Sequence, residues 1–324
     1  MYKKSITFCK VLTIVGLSKN SGKTSFLNWL IKKQQNKKIA ITTTGRDGED
    51  IDLVTGEQKP KVQIPKNAIF TTFDNILNTQ SSQLKGLKKL PFRVIGNSLW
   101  LCEALEDIET EIIGPVLRKE QEALISIFGE YNPNMILIDG SLDRKSICLS
   151  EKITDIILVL GASAGNINEI KKQVERIKFF TSMPTLQIND YDTITYDNIK
   201  TEFKSIYSKE SFISDILAQK PNWIYFPGAI TDTSWNKLKN SFKSKSTKII
   251  FNHPINVNIN KDELKRFLQE NTIYSRLNFP IRQIAVNSYS PYNEHIDIDL
   301  LKKEIKDIFT DKEVIDITQL VNSL

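Results

Sequence analysis

Three consecutive residues, Gly22-Lys23-Thr24, offer the first chemistry in this sequence. An apolar run, Val11 to Val15, precedes them, then Gly16 and a polar loop; Phe26, Leu27, Leu30 and Ile31 follow at helical spacing. Strand, glycine-bearing loop, Gly-Lys-Thr and helix is the order in which a chain cradles phosphate. A helix start leaves its first N–H groups without intrahelical acceptors and carries partial positive charge, so it attracts an anion. On this reading Lys19, Asn20, Ser21, Gly22, Lys23, Thr24 and Ser25 surround the phosphates. Gly22 admits close backbone approach, Lys23 is the catalytic cation that reaches the terminal phosphates, and the Thr24 hydroxyl ligates Mg²⁺. A plain strand-to-helix turn that happens to contain Gly-Lys-Thr is the alternative, and the context on both sides speaks against it.

A second half for such a site stands further along. Met135-Ile136-Leu137-Ile138 ends in Asp139-Gly140, and a carboxylate at a strand's C-terminal end can hold Mg²⁺ through water. Arg144, in the loop that follows, could contact phosphate or pair with Asp143 in a structural turn. Asp47, in Gly45-Arg46-Asp47-Gly48-Glu49-Asp50 after the strand Lys37 to Thr44, is a second catalytic candidate. It could face the Mg²⁺ or an attacking water, or Asp47-Gly48 could simply be a turn.

These groups need a frame that gathers strand ends. Buried strands (Val11 to Val15, Lys37 to Thr44, Met135 to Ile138, Asp155 to Leu160 and Pro184 to Ile188) alternate with helices at Pro115 to Tyr131 and Ile167 to Phe180. The pattern predicts an α/β fold, a parallel sheet with helices on both faces, with ligands beyond the strand C-termini. Between Val62 and Gly114 the period shortens to a β-rich insertion, with Ser81 to Lys89 as a polar break or short helix. The insertion could bind a partner, act as a sensor or form a lid. The small-residue loop Gly161 to Gly165 closes one strand. The polar stretch Asp190 to Asn198 reads as a junction, which gives a nucleotide-binding domain at 1–190 and a smaller α/β domain at 191–324. In that second half Ile199 to Lys220 reads as helix, and Ala285 to Asn293 as a polar loop that could face a ligand or a partner.

Composition narrows the classes. The 324 residues are 40% hydrophobic and 25% charged, ordinary for a globular chain. No apolar run approaches the ~20 residues of a membrane span. The basic start and apolar run at the N-terminus are better used as the first strand than as an export signal. Cys9, Cys102 and Cys148 form no CxxC pair, which suits a reducing cytoplasm and argues against a cysteine zinc site. With only His253 and His295, a histidine metal centre is excluded. Net charge is +6, and nine lysines and one arginine precede Asp47 with no acid among them. That balance favours a phosphate near the loop, although Lys32, Lys33, Lys37 and Lys38 read as a solvated helix face. No nucleic-acid-binding signature accompanies it.

The spacing from Gly16 to Lys23 resembles the loop of dethiobiotin synthetase, and KNSGKT resembles molybdopterin-guanine dinucleotide accessory GTPases; both lie in the MinD-like branch of P-loop NTPases. Ser18 stands where many of that branch carry a second signature lysine, so a two-lysine mechanism is not expected. Three stretches together, GLSKNSGKTSFLNWL, TTTGRDGEDIDLVTGEQKP and ILIDGSLDRKS, with AVNSYSPYN as a fourth, resemble the smaller subunit of the lysine 5,6-aminomutase reactivase. The resemblance implies a cytoplasmic helper for an adenosylcobalamin-dependent aminomutase in amino-acid fermentation. It also implies a MutS-like ATPase partner subunit, and ATP used to exchange damaged cobalamin. ATP with Mg²⁺ is therefore the expected cofactor, and with no guanine-reading Asn-Lys-x-Asp in a base-binding position GTP ranks second. The resemblance implies nucleotide binding by the chain, with or without hydrolysis. An ATP-dependent ligase or kinase of the dethiobiotin synthetase type and a non-hydrolysing docking module stand as alternatives.

Overall fold

In a computed structural model of the chain, the described residues are 9–47, 61–141, 150–208, 210–242, 246–290 and 295–322. Arg144 and the stretch from Gly48 to Pro60 lie outside them. The chain divides into two compact units, residues 1–173 with 280–324, and residues 174–279.

The larger unit is built on nine strands. They are β1 (Lys10–Gly16), β2 (Ile39–Thr43), β3 (Ile69–Phe73), β4 (Leu84–Val94), β5 (Asn97–Ala104), β6 (Met135–Ser141), β7 (Asp155–Gly161), β8 (Ile281–Asn287) and β9 (Glu313–Asp316). Their order across the sheet is β9-β8-β7-β1-β6-β2-β3-β5-β4. From β9 to β3 every neighbour pair is parallel; β5 runs antiparallel to β3, and β4 to β5. The fold is therefore mixed α/β with a large mixed sheet, rather than parallel throughout. The central strands are buried on both faces, as a parallel sheet requires: Val11, Leu12, Thr13, Ile14 and Val15 are all buried. Leu12 and Ile14 of β1, Ile39 and Ile41 of β2, Leu137 of β6 and Ile157 and Val159 of β7 form one core with Phe26, Leu27 and Ile31 of helix α1 (Lys23–Lys33). Each such side chain taken out of water contributes about 1.5–3 kcal/mol. No helix among the described residues is long and apolar enough to cross a membrane.

Four expectations are redrawn. The stretch from Val62 to Gly114 is rich in strands as expected, but it also holds the helix Asp74–Thr79, and β3, β5 and β4 within it extend the main sheet. Ser81 to Lys89 holds no helix: after a turn, β4 begins at Leu84, and its period-two alternation turns Leu90, Phe92 and Val94 inward and Lys89, Pro91 and Arg93 outward. The helical run expected from Ile199 to Lys220 shrinks to Glu210–Ala218, because Asp197 and Asn198, with φ of 42° and 70°, turn the chain into a short hairpin. The strand expected at Pro184 to Ile188 is a single bridge from Thr185 to Ser275.

The smaller unit is also drawn differently from 191–324, because β8 and β9 pair with β7 in the large sheet. Its own sheet has five strands, with Trp223–Phe226, Lys248–Phe251 and Thr272–Ser275 parallel, and a short antiparallel hairpin, Thr195–Tyr196 and Ile199–Lys200, at one edge. Trp235, Phe226, Phe242, Phe251 and Phe267 fill its core.

Candidate functional site at the start of helix α1

β1 lies where the chain changes direction across the sheet. Its neighbours are β6 on one side and β7 on the other, and from β1 the chain passes through α1 to β2 on the β6 side. In an open α/β sheet such a switch point leaves a crevice beyond the strand C-termini. On the α1-covered face the side chains change character at that end. Leu12 and Ile14 give way to Gly16, Leu137 to Asp139, Ile157 and Val159 to Gly161, and Ala285 to Asn287.

The loop from Gly16 to Lys23 is closely fitted. The Leu17 N–H donates to the Val159 carbonyl at 3.0 Å, and the Ser18 and Ser163 hydroxyls are 2.8 Å apart. Asn20 and Gly22 have φ of 55° and 97°, left-handed conformations that glycine tolerates best. A Cβ on Gly16 would lie 2.6 Å from Ser21 Oγ and 2.7 Å from Lys23 Cδ, so the Lys23 stem folds back over the end of β1. Gly16 is thus the residue that must lack a side chain, because it lies under Ser21 and Lys23. Ser21 is fully buried, and its Oγ has no hydrogen-bond partner among the described residues.

Helix α1 starts at Lys23 with Gly22 as its cap. No side chain caps it, and no acid stands in its first turn. The Gly22 carbonyl accepts from the Phe26 N–H at 3.0 Å, while the first-turn N–H groups face the loop side of the helix. Thr24 and Ser25 are half-buried in that turn, and Lys19 is exposed.

Asp139 is 3% exposed and stands in register with Ile14 and with Thr43, on the face that α1 covers. Its carbonyl accepts from the Thr44 N–H at 2.9 Å, which holds the ends of β2 and β6 together. The Asp47 backbone is not in an open loop: Arg46 and Asp47 pair antiparallel with Ile113 and Ile112. Arg144 lies outside the described residues, so its two readings stand as they were.

Residues not assigned from sequence also meet here. A Cβ on Gly161 would come within 2.7 Å of the Ser21 Cα, and one on Gly22 would lie 3.1 Å from Ile317 Cδ1 and 3.2 Å from Asn287 Nδ2. Asn287 is buried and accepts from the Tyr289 N–H at 3.1 Å. The small-residue loop Gly161 to Gly165 was the signal for Gly161; the polar loop expected from Ala285 to Asn293 was the signal for Asn287, although Ala285, Val286 and Asn287 belong to β8, because they pair with β7. The arrangement can surround an anion with backbone N–H groups and one ammonium, beside a buried carboxylate on the neighbouring strand. Comparison of the chain with protein-family models, curated proteins and solved structures finds no match in any of the three.

Proposed function

We propose that this chain is a P-loop NTPase-type protein that binds a nucleoside triphosphate with Mg²⁺ at the start of α1, ATP ahead of GTP. The observation that carries the reading is Ser21, a buried hydroxyl without a hydrogen-bond partner among the described residues, in a loop wrapped between Gly16, Gly161 and an uncapped helix start. A buried polar group without a partner is costly, and a phosphate oxygen would supply one. The N–H groups of Lys23, Thr24 and Ser25 and the Lys23 ammonium would hold the phosphates, and Thr24 and Asp139 would hold the Mg²⁺. The bound metal would neutralise charge on the phosphate oxygens. Titration with a fluorescent ATP analogue tests this: Lys23→Ala is expected to weaken binding by about tenfold or more, and an unchanged affinity would sink the reading.

Nucleotide would serve an accessory role. The four stretches resembling the reactivase small subunit support a helper that, with a MutS-like subunit, reactivates an adenosylcobalamin-dependent aminomutase. The pairing of Asp47 with Ile112 favours a nucleotide signal passed into the β2–β3 region over a freely swinging loop. Mixing the chain and that subunit with inactivated aminomutase, intact coenzyme and ATP should restore turnover. No restoration with nucleotide bound would remove the client and leave the nucleotide site standing.

A further inference from the structure

The β4–β5 hairpin, at the edge of the large sheet, ends in a two-residue turn, Ile95-Gly96, with φ of 50° and 79°. A turn with positive φ at both positions suits Asn-Gly or Gly-Gly, because a β-branched side chain crowds the backbone there. Ile95 takes that conformation and is 80% exposed. An isoleucine at this point strains the turn and leaves its apolar surface in water. At that exposure the side chain gains little packing within the unit in return.

Its surroundings are basic. Lys89 and Arg93 point outward on the strand that leads to the tip, and neither has an ion-pair partner among the described residues. Lys88, beside them, pairs with Glu130 at 3.4 Å. Cations also keep an edge strand from aggregating, but that role asks nothing of the turn.

We propose that Ile95 is the anchor by which this hairpin docks into another protein, one presenting an apolar pocket rimmed by Asp and Glu side chains. The aliphatic tip fills the pocket, and Lys89 and Arg93 meet the rim. Strand addition along β4 is disfavoured, since Pro91 has no N–H and the pairing of β4 with β5 shifts register twice. A nucleic acid is disfavoured because an aliphatic wedge between base steps needs many cations on the phosphates beside it, and Lys89 and Arg93 are only two, with Lys88 paired to Glu130. A second copy is disfavoured because it would bring two basic hairpins of a +6 chain together. The proposal does not rest on the nucleotide reading.

The test places benzoylphenylalanine at position 95 of the full chain, in the cells that produce it, and identifies the photo-crosslinked peptide. The partner so identified is then purified and titrated against the chain. The expected adduct is a peptide with apolar residues flanked by Asp or Glu. Ile95→Asn should weaken binding by about tenfold or more while its denaturation midpoint stays level or rises, because Asn-Gly suits the turn. Lys89→Glu with Arg93→Glu should weaken binding and flatten its salt dependence. An adduct to this chain itself or to nucleic acid, no adduct, or an Ile95→Asn loss smaller than tenfold would overturn the proposal.

Discussion

Gly161 and Ser21 meet backbone to backbone: a Cβ on Gly161 would come within 2.7 Å of the Ser21 Cα and 3.1 Å of its carbonyl oxygen. Neither side can yield by rotating a side chain, because Gly161 ends a buried strand and Ser21 sits in a loop held at Leu17 and Ser18. Gly161→Ala is therefore expected to cost about 1–3 kcal/mol of stability, read from urea denaturation. Gly16→Ala differs, since its Cβ would meet the Ser21 Oγ and the Lys23 stem, which can move. It should cost less stability but displace Lys23 and weaken nucleotide binding more. Equal losses in both assays for the two variants would contradict this division.

Ser21→Ala separates stability from binding by sign. Without ligand the variant removes a buried hydroxyl that has no hydrogen-bond partner among the described residues, so its stability, read from urea denaturation, should stay level or rise by up to about 1 kcal/mol. With nucleotide and Mg²⁺ the ligand-induced rise in Tm should be smaller than in the wild type. A lower midpoint without ligand would mean that the hydroxyl already has a partner in solution.

The apolar runs of β1, β6 and β7 were legible because strands buried on both faces carry few polar residues. Gly22-Lys23-Thr24 was legible because a helix start after a strand leaves a local pattern. Gly161 was seen only as part of a small-residue loop, because its need for a bare Cα comes from Ser21, far away in sequence. The return of β8 and β9 to the large sheet was missed for the same reason: pairing with β7 leaves no mark in the local sequence. At β4 the lysines hid an edge strand behind a helical composition, and only the inward row of Leu90, Phe92 and Val94 reveals it.

Cys102, fully buried on β5 opposite Phe70, makes stability depend on alkaline pH. Burial pushes its thiol up to about 12, against about 8.5 in an unfolded chain. The unfolded state thus loses this proton first as pH rises, and the native state keeps it. The contribution is fully present below about pH 8.5 and is lost towards pH 12, at a slope of up to about 1.4 kcal/mol per pH unit. Denaturation midpoints at pH 8 and pH 10 should therefore fall more steeply for the wild type than for Cys102→Ala. The variant will be less stable at pH 8 because it leaves a small cavity. Parallel pH profiles for the two proteins would show that the thiol ionises normally in the fold.

In the smaller unit, Glu263 holds the core tryptophan. Its Oε2 accepts from Trp235 Nε1 at 2.6 Å, its Oε1 lies 3.3 Å from Arg266, and its N–H donates to the Asn260 side chain that caps its helix. Trp235 is fully buried, with its ring 4.6 Å from Phe267 and 6.1 Å from Phe242, centroid to centroid. Trp235→Phe removes both volume and the charge-assisted hydrogen bond, so a loss of about 2–4 kcal/mol is expected. Glu263→Gln keeps an acceptor and the helix cap and should lose about 1 kcal/mol or less. Hydrogen exchange locates the effect. Because residues 174–279 form their own compact unit, protection should fall in the strands Trp223–Phe226 and Lys248–Phe251 while β1 and α1 keep theirs. An equal fall in β1 would show instead that the two units unfold together.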